Sequence, residues 1–356
     1  MSGRFQCDGS FKEDFKAYTE QILEKYGVSS QTAQREIMCM ADEGNVVAKK
    51  LYADMIFYRK LLRKSPDRDA FELYLQAAGI TADGGSWRCS GVSYPLAFWA
   101  VGYYLVNYRR ESTLKNCEKI DCIEQMSLKE RLSTALALAV ACIGYVDAAG
   151  AVNLAGRILQ EISEDGELFA ALSPVFAEAV AGHDFSGILS EPAVCDTVDS
   201  CAKLAEAFFQ AAAKKGYVYA CNNLAAREAD RIIAMDDQTI DSAEMKAAVE
   251  SYVNYLKLSA DKYEPYAANR LGLFYATGEV KGTTGKRIFK EYIDFPLGKQ
   301  YFTKATMYPD ANSAWAFYNL IRYYHRDYDS DLALLNEHMD YIKELNPRVY
   351  DLAMEM

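Results

Sequence analysis

The chain has 356 residues, of which 51% are hydrophobic and 25% are charged, and its formal net charge at neutral pH is −11. This composition, with only 8 prolines, is typical of a folded chain and excludes a disordered one. The acidic balance disfavours broad contact with the phosphates of a nucleic acid.

The apolar runs of the sequence are short. Residues 1–15 contain no basic start followed by an apolar stretch, which a secretory signal requires. The most apolar run, ALALAVACIGYV at 135–146, falls well below the roughly 18 apolar residues of a membrane span. We therefore expect a cytoplasmic protein that does not contact a membrane.

The first predicted elements are two helices between residues 10 and 43. Ser10 and Glu13 have the spacing of a capping box, and Ser29 with Ser30 favours the start of the second helix. We expect residues 1–45 to cap one end of a helical array.

A basic run follows at 49–68, with seven Lys or Arg residues against two aspartates. A solvated helix face is the simpler interpretation, and a docking patch for an acidic partner is the alternative. The residues of this secondary basic patch are Lys49, Lys50, Arg59, Lys60, Arg63 and Lys64.

A helical template recurs along the chain. In its clearest copy, Ala267 precedes Leu271 and Gly272 by about one helical turn, and Tyr275 follows by another. The other copies begin at Val47, Ala97, Gly150, Ala220 and Ala316. Their central apolar residues recur about every 50 residues, apart from one longer interval between Leu154 and Leu224.

A second helical template lies between these copies, as in Ala70, Tyr74 and Ala77, and again in Ala205 and Phe209. A large side chain fills the groove of a neighbouring helix, and Ala one turn away lets two helix axes approach closely. Because one helix pair cannot bury both of its faces, pairs stack and share a core. The sequence predicts an all-α fold, an α-solenoid of antiparallel helix pairs.

The alternation of the two templates resembles the Sel-one-like branch of the tetratricopeptide family. Residues 267–280 match the family pattern, and 212–216 (AAKKG) resemble its junction between repeats. The resemblance is good over about 200–330 and implies a superhelix whose first helices line a concave groove.

The resemblance and the repeat intervals divide the chain into four expected regions. After the capping helices, degenerate repeats occupy 46–182, where an extra helix is expected near 167–181. An insertion or bend follows at 183–200, and residues 201–356 form Sel-one-like repeats with a C-terminal capping helix. The long loop at 79–95 carries Trp87, which we expect to pack back over the core.

No pattern in the sequence indicates catalysis. The segment GTTGKR at 282–287 has the wrong spacing for a phosphate-binding loop and joins two helices, so we interpret it as an ordinary loop. No set of acid, base and orienting residue is recognisable, and no cofactor is expected.

Metal binding is not expected either. The three histidines, His183, His325 and His338, are scattered, and the nine cysteines lack any CxxC pair. We expect the cysteines to be reduced thiols, most of them buried.

Binding is better supported than catalysis. If the first helix of each pair lines the groove, the residues three and seven positions after the first template residue form columns across the repeats. Their amide and guanidinium groups could hold a peptide, and their rings could anchor it, although ordinary surface residues are the simpler alternative. The candidate groove residues are Tyr104, Asn223, Arg227, Arg270, Phe274, Asn319 and Tyr323.

Three classes of function remain open at this point. The leading hypothesis is a non-catalytic scaffold or adaptor that binds a protein segment or peptide in the concave groove. The second is a sensor for a small ligand or peptide. The third is an accessory subunit of a nucleic-acid-associated assembly, with 49–68 as its basic contact, although direct nucleic-acid binding is disfavoured by the net charge.

Overall fold

The chain divides into two compact units, Met1–Ala212 and Ala213–Met356. A computed structural model describes most of both units. The described residues are 5–7, 31–57, 61, 63–83, 86–89, 93–110, 114, 117–145, 148–181, 185–190, 192–236, 242–307, 312–328 and 331–355. Both units are built mainly of α-helices, which confirms the predicted helical class.

Nine α-helices begin in the described part of the first unit, and the last of them extends two residues beyond it. They are α1 (Gln31–Asp42), α2 (Val46–Phe57), α3 (Pro66–Ala77), α4 (Pro95–Asn107), α5 (Asp121–Glu124), α6 (Leu128–Tyr145), α7 (Ala149–Glu164), α8 (Gly166–Val180) and α9 (Val198–Lys214). The predicted extra helix corresponds to α8. The proposed capping box at Ser10 lies outside the described residues.

Local sequence explains several of these helix starts. Pro66 and Pro95 occupy the first helical position of α3 and α4, where proline loses no helical hydrogen bond. Asp165 caps α8, because its carboxylate accepts hydrogen bonds from the backbone N–H groups of Glu167 and Leu168.

The segment predicted as a long loop at 79–95 contains two strands. These are β2 (Ile80–Asp83) and β3 (Ser86–Cys89), and β3 lies between β2 and a distant strand, β1 (Phe5–Cys7). The β3 strand pairs antiparallel with β2 and parallel with β1. Trp87 of β3 is buried with its ring centroid 6.4 Å from that of Phe71, which confirms that it packs on the core.

One cysteine prediction is wrong. Cys195 and Cys201 form a disulfide at the start of α9, so these two are not reduced thiols. Cys201 follows Cys195 by six positions, so the bond closes a small loop, and a short loop costs little entropy to close. The cysteines at 89, 117, 142 and 221 are buried, as expected.

The second unit contains seven α-helices among its described residues. They are α10 (Val218–Ala234), α11 (Ala243–Ala260), α12 (Pro265–Thr277), α13 (Phe295–Ala305), α14 (Ser313–Tyr323), α15 (Leu332–Leu345) and α16 (Pro347–Met354). Each packs against the next along the chain, and α12 also packs directly against α14.

Capping side chains begin most of these helices. Ser242 accepts a hydrogen bond from the backbone of α11, and Asp294 and Asp331 do the same for α13 and α15. Glu264 caps α12 while buried, where it also accepts a hydrogen bond from Asn222 of α10 at 3.0 Å. A capping group of one helix therefore also fixes its neighbour.

The recurring template forms the core, as predicted. Its residues Ala267 and Leu271 are buried in the second unit, as are their counterparts Ala97 and Val101 in the first. Gly272 faces the ring of Phe302, so the missing side chain lets α12 and α13 approach closely.

The segment GTTGKR at 282–287 belongs to a β-hairpin. Its strands are β4 (Glu279–Lys281) and β5 (Lys286–Ile288), paired antiparallel. Thr283 in the turn donates two hydrogen bonds to the Asp230 carboxylate of α10, at 2.6 and 2.8 Å. The hairpin is thus fixed to a neighbouring helix. The described residues of this unit also include two short 3₁₀ turns, at Lys290–Tyr292 and His325–Asp327.

None of the helices that the structure describes is long and apolar enough to cross a membrane.

Candidate functional site

Two of the predicted groove residues are core residues. The sequence predicted that Tyr104 and Phe274 are exposed on a groove. Both are buried, so that part of the prediction is wrong. Each lies three residues after the central apolar residue of its template, Val101 or Leu271. Residues three apart share a helix face, so these rings join the apolar stripe instead of the polar one.

Asn319 is also buried, contrary to its predicted place in a binding groove. Its side-chain amide donates a hydrogen bond to the buried Asn269 side chain at 2.9 Å. This bond joins α14 to α12, and it satisfies two polar groups that would otherwise be costly to bury.

Arg270 holds the hairpin in place. Its guanidinium donates to the backbone carbonyl of Lys281 in β4 at 2.5 Å, and it lies beside the hydroxyls of Tyr252 and Tyr266. Replacing Arg270 would therefore disturb the fold as well as any binding surface.

The remaining predicted residues, Asn223, Arg227 and Tyr323, are partly exposed. The Tyr323 ring stacks on Phe302 with centroids 6.4 Å apart, and the Arg322 guanidinium lies 5.3 Å from its ring centroid. The predicted columns are thus interrupted by buried residues, and they do not form one continuous exposed stripe.

A cleft of about 280 Å³ opens elsewhere in the second unit. One side is a single face of α11, because residues spaced by one, four, five and eight positions lie together on a helix. The residues of this face are Val249, Glu250, Val253, Asn254 and Lys257. The valines are buried at the base, while Glu250 and Asn254 are exposed at the rim.

Three aromatic residues form the other side of the cleft. Phe274 lies at its base, and its ring centroid is 5.3 Å from that of Tyr275 and 5.4 Å from that of Tyr292. Tyr301 stacks against Tyr275 at 5.6 Å with nearly parallel rings, so the Tyr275 ring contacts both Phe274 and Tyr301. The cleft therefore has an apolar base and aromatic walls.

Polar groups at the rim complete the site. The Lys257 ammonium is 5.9 Å from the centroid of the Tyr275 ring. Burial raises the pKa of Tyr292, and the charges of Glu291 and Glu250 raise it further. A phenol is already protonated at neutral pH with its ordinary pKa of about 10, so the Tyr292 hydroxyl can donate a hydrogen bond.

Some residues of the secondary basic patch make contacts within the first unit, so the patch is only partly available to a binding partner. Lys50 forms an ion pair of 2.6 Å with Asp54 in the next turn of α2, and Arg63 lies 5.3 Å from the ring centroid of Tyr52. Lys49 is half-buried and Lys64 is exposed. Arg59 and Lys60 lie outside the described residues.

The α11 side of the cleft was not found from the sequence. Its face mixes two valines with an acid, an amide and a base, a pattern that also suits an ordinary amphipathic helix. The structure also places no group of His, Cys, Asp and Glu that could hold a metal ion within the part of the chain that it describes.

No protein-family model and no curated protein matches the chain.

Proposed function

We propose that the protein is a non-catalytic adaptor that binds a protein segment or peptide, and that the cleft in the second unit receives one apolar side chain of that partner. The observation that carries the proposal is the combination of an apolar base, aromatic walls and a rim of four different polar groups, a carboxylate, an amide, an ammonium and a phenol hydroxyl. Such rims hold a peptide backbone while the pocket takes an anchor residue.

The size of the cleft favours a protein segment over a small ligand. Sites for small molecules are typically about 300–1,000 Å³ and enclose most of their ligand. A cleft of about 280 Å³ with exposed rim residues is at the lower limit of that range. The adaptor is therefore favoured over the sensor that was the alternative.

A helical-repeat solenoid of the Sel-one-like type remains part of the proposal. The direct packing of α12 on α14, two helices apart in sequence, supports it because stacked helix pairs bring every second helix together. We propose no cofactor. The cytoplasmic location is still a prediction, and the Cys195–Cys201 disulfide argues against it because disulfides persist mainly in oxidising compartments.

The cleft can be tested by filling it. Asn254→Trp places a large side chain at the rim from an exposed position on α11. Glu244→Trp adds the same side chain to the other side of this helix and disrupts an exposed ion pair with Arg231, which contributes little. Both variants should fold, because neither position is buried.

We would select a random 12-residue peptide library against the wild type and both variants. The wild type and Glu244→Trp should enrich the same peptides, with one aromatic or leucine anchor, and Asn254→Trp should not enrich them. Equal enrichment by all three proteins would show that the cleft is not the binding site.

A further inference from the structure

Three helices of the second unit have an exposed aromatic residue in their first turn, at the same template position. Tyr219, Tyr266 and Trp315 directly precede the first template residues of α10, α12 and α14, which are buried alanines. The aromatic residues are 55%, 39% and 38% exposed, respectively. We call these three residues, together with Tyr263, the aromatic edge.

Hydrogen bonds connect α12 to each of the other two helices. Asn222 of α10 donates to Glu264, which caps α12, and Asn319 of α14 donates to Asn269 of α12. Helices in direct contact lie about 8–10 Å apart. Tyr266 and Trp315 lie at equivalent positions on α12 and α14, which pack directly against each other, so these two positions are about that distance apart.

Three lysines lie in the segments next to these aromatic residues. The Lys262 ammonium donates to the backbone carbonyl of Gly216 at 2.7 Å, and Lys304 forms an ion pair of 2.8 Å with Asp261. These contacts join the loop before α10, the loop before α12 and the end of α13. Lys215 is exposed in the first of these loops. These three lysines outnumber the two carboxylates beside them, Asp261 and the buried Glu264, by one, on a chain whose net charge is −11.

Tyr263 occupies a position whose backbone conformation favours glycine. It occupies the same position before α12 as Gly216 does before α10, and both have a left-handed backbone, with φ of +60° and +80°. That conformation disfavours a residue with a Cβ atom. Tyr263 is 45% exposed, and the Lys304 ammonium lies 5.4 Å from the centroid of its ring. Residues that carry such backbone strain are concentrated at functional sites.

From this spacing and charge we infer that the aromatic edge binds an acidic protein segment in the polyproline II conformation, with an apolar residue at every third position. Polyproline II has three residues per turn and a rise of about 3.1 Å per residue, so its side chains repeat on one face every 9 Å or so. This repeat matches the separation of neighbouring helices, and aromatic surfaces are the usual partners of such segments. Acidic residues between the anchors would face the lysines.

The aromatic edge is a second surface, made of different residues from the cleft, so it does not depend on the proposed function. Single-stranded nucleic acid also stacks on aromatic rings beside lysines. A nucleic-acid strand carries one negative charge per nucleotide, whereas the proposed segment carries about one for every three residues, so long-range repulsion by the net charge of −11 disfavours the strand more strongly.

The test uses the full-length chain and a fluorescently labelled peptide of four Leu-Pro-Glu repeats, with binding followed by anisotropy. Tyr266→Ser combined with Trp315→Ser should weaken binding by about tenfold or more, since two central aromatic anchors are lost. Leu332→Ser is the matched control, because Leu332 is 68% exposed in the same unit and lies on α15. It should leave the affinity unchanged.

Further probes define what would overturn the inference. A peptide of the same composition in scrambled order, and one with Lys in place of Glu, should each bind at least about tenfold more weakly. Equal binding of either peptide, or no binding of the Leu-Pro-Glu peptide, would contradict the proposal. The proposal would also be contradicted if a strand of twelve thymidine nucleotides bound more tightly than the peptide and the double variant lost this binding.

The cleft variant separates the two proposals. Asn254→Trp should leave the affinity for the Leu-Pro-Glu peptide unchanged, because Asn254 is not part of the aromatic edge. If this variant abolished binding while the double variant did not, the peptide would be using the cleft, and the aromatic edge would be excluded.

Discussion

The two units use the same helical template inside and different residues outside. The residue before the template is aliphatic in the first unit, where Val46, Leu96 and Ala149 are partly buried. In the second unit it is aromatic and exposed. Close helix packing restricts the inward positions to small or well-fitting apolar residues, whereas the neighbouring outward position can change at little cost in stability. Differences in binding between the units should therefore arise at that outward position.

The largest effect that we predict tests whether the aromatic core residues of the two units are equivalent. Phe274→Ala removes a ring that contacts Tyr252, Tyr275 and Tyr292, and it should cost about 3–5 kcal/mol of the unfolding free energy of the second unit. Tyr104→Ala should have a similar effect on the first unit, because its ring packs against Phe71 at 5.1 Å.

Hydrogen exchange measured by mass spectrometry reports on each unit separately, which a single melting curve of a chain with two units does not. Protection should fall mainly in the unit that carries the substitution. A loss below about 1 kcal/mol for either variant would mean that the ring is not a true core residue.

Reduction of the disulfide should lower the stability of the first unit alone. The Cys195–Cys201 bond closes a short loop, and chain-entropy arguments give such loops about 2 kcal/mol of stabilisation. The second unit has a single cysteine, Cys221, so its exchange should not respond to a thiol reductant.

A Cys195→Ser, Cys201→Ser variant is the control for this experiment. Its first unit should be less stable than that of the wild type, and it should become insensitive to reductant. If the wild-type first unit kept its full protection after reduction, the disulfide would contribute nothing to its stability.

The smallest predicted effect compares the same template glycine in the two units. A Cβ atom at Gly272 would collide with the Phe302 ring, whereas one at Gly102 would meet the end of the Leu154 side chain at 3.0 Å. Replacing Gly by Ala in a helix stabilises the helix by about 1 kcal/mol through helix propensity. Overpacking of the core by the added methyl group destabilises the fold by about 1–3 kcal/mol. Gly272→Ala should thus lose about 1 kcal/mol, and Gly102→Ala should be close to neutral because the leucine can move.

Denaturant titration followed by exchange in each unit would measure both glycine variants. If Gly102→Ala destabilised its unit more than Gly272→Ala does, the closest helix contact would lie in the first unit, and the two units would differ in their packing as well as in their surfaces.

The sequence by itself determined the helical class and the buried positions of the template. Residues such as Ala267 and Leu271 lie four apart, and this spacing places both on one face of a helix whatever the helix packs against. Caps and prolines are equally local, so a helix start such as the one at Pro265 follows from the sequence near it.

Only the tertiary structure decided which side of each helix is covered. Phe274 and Asn319 become buried because neighbouring helices lie over them, and sequence spacing cannot show a neighbour's position. Strand β1 pairs with β3 across more than 70 residues of chain, a contact that no local pattern encodes. The cleft combines α11, α12 and a 3₁₀ turn, so its shape depends on how these elements pack together.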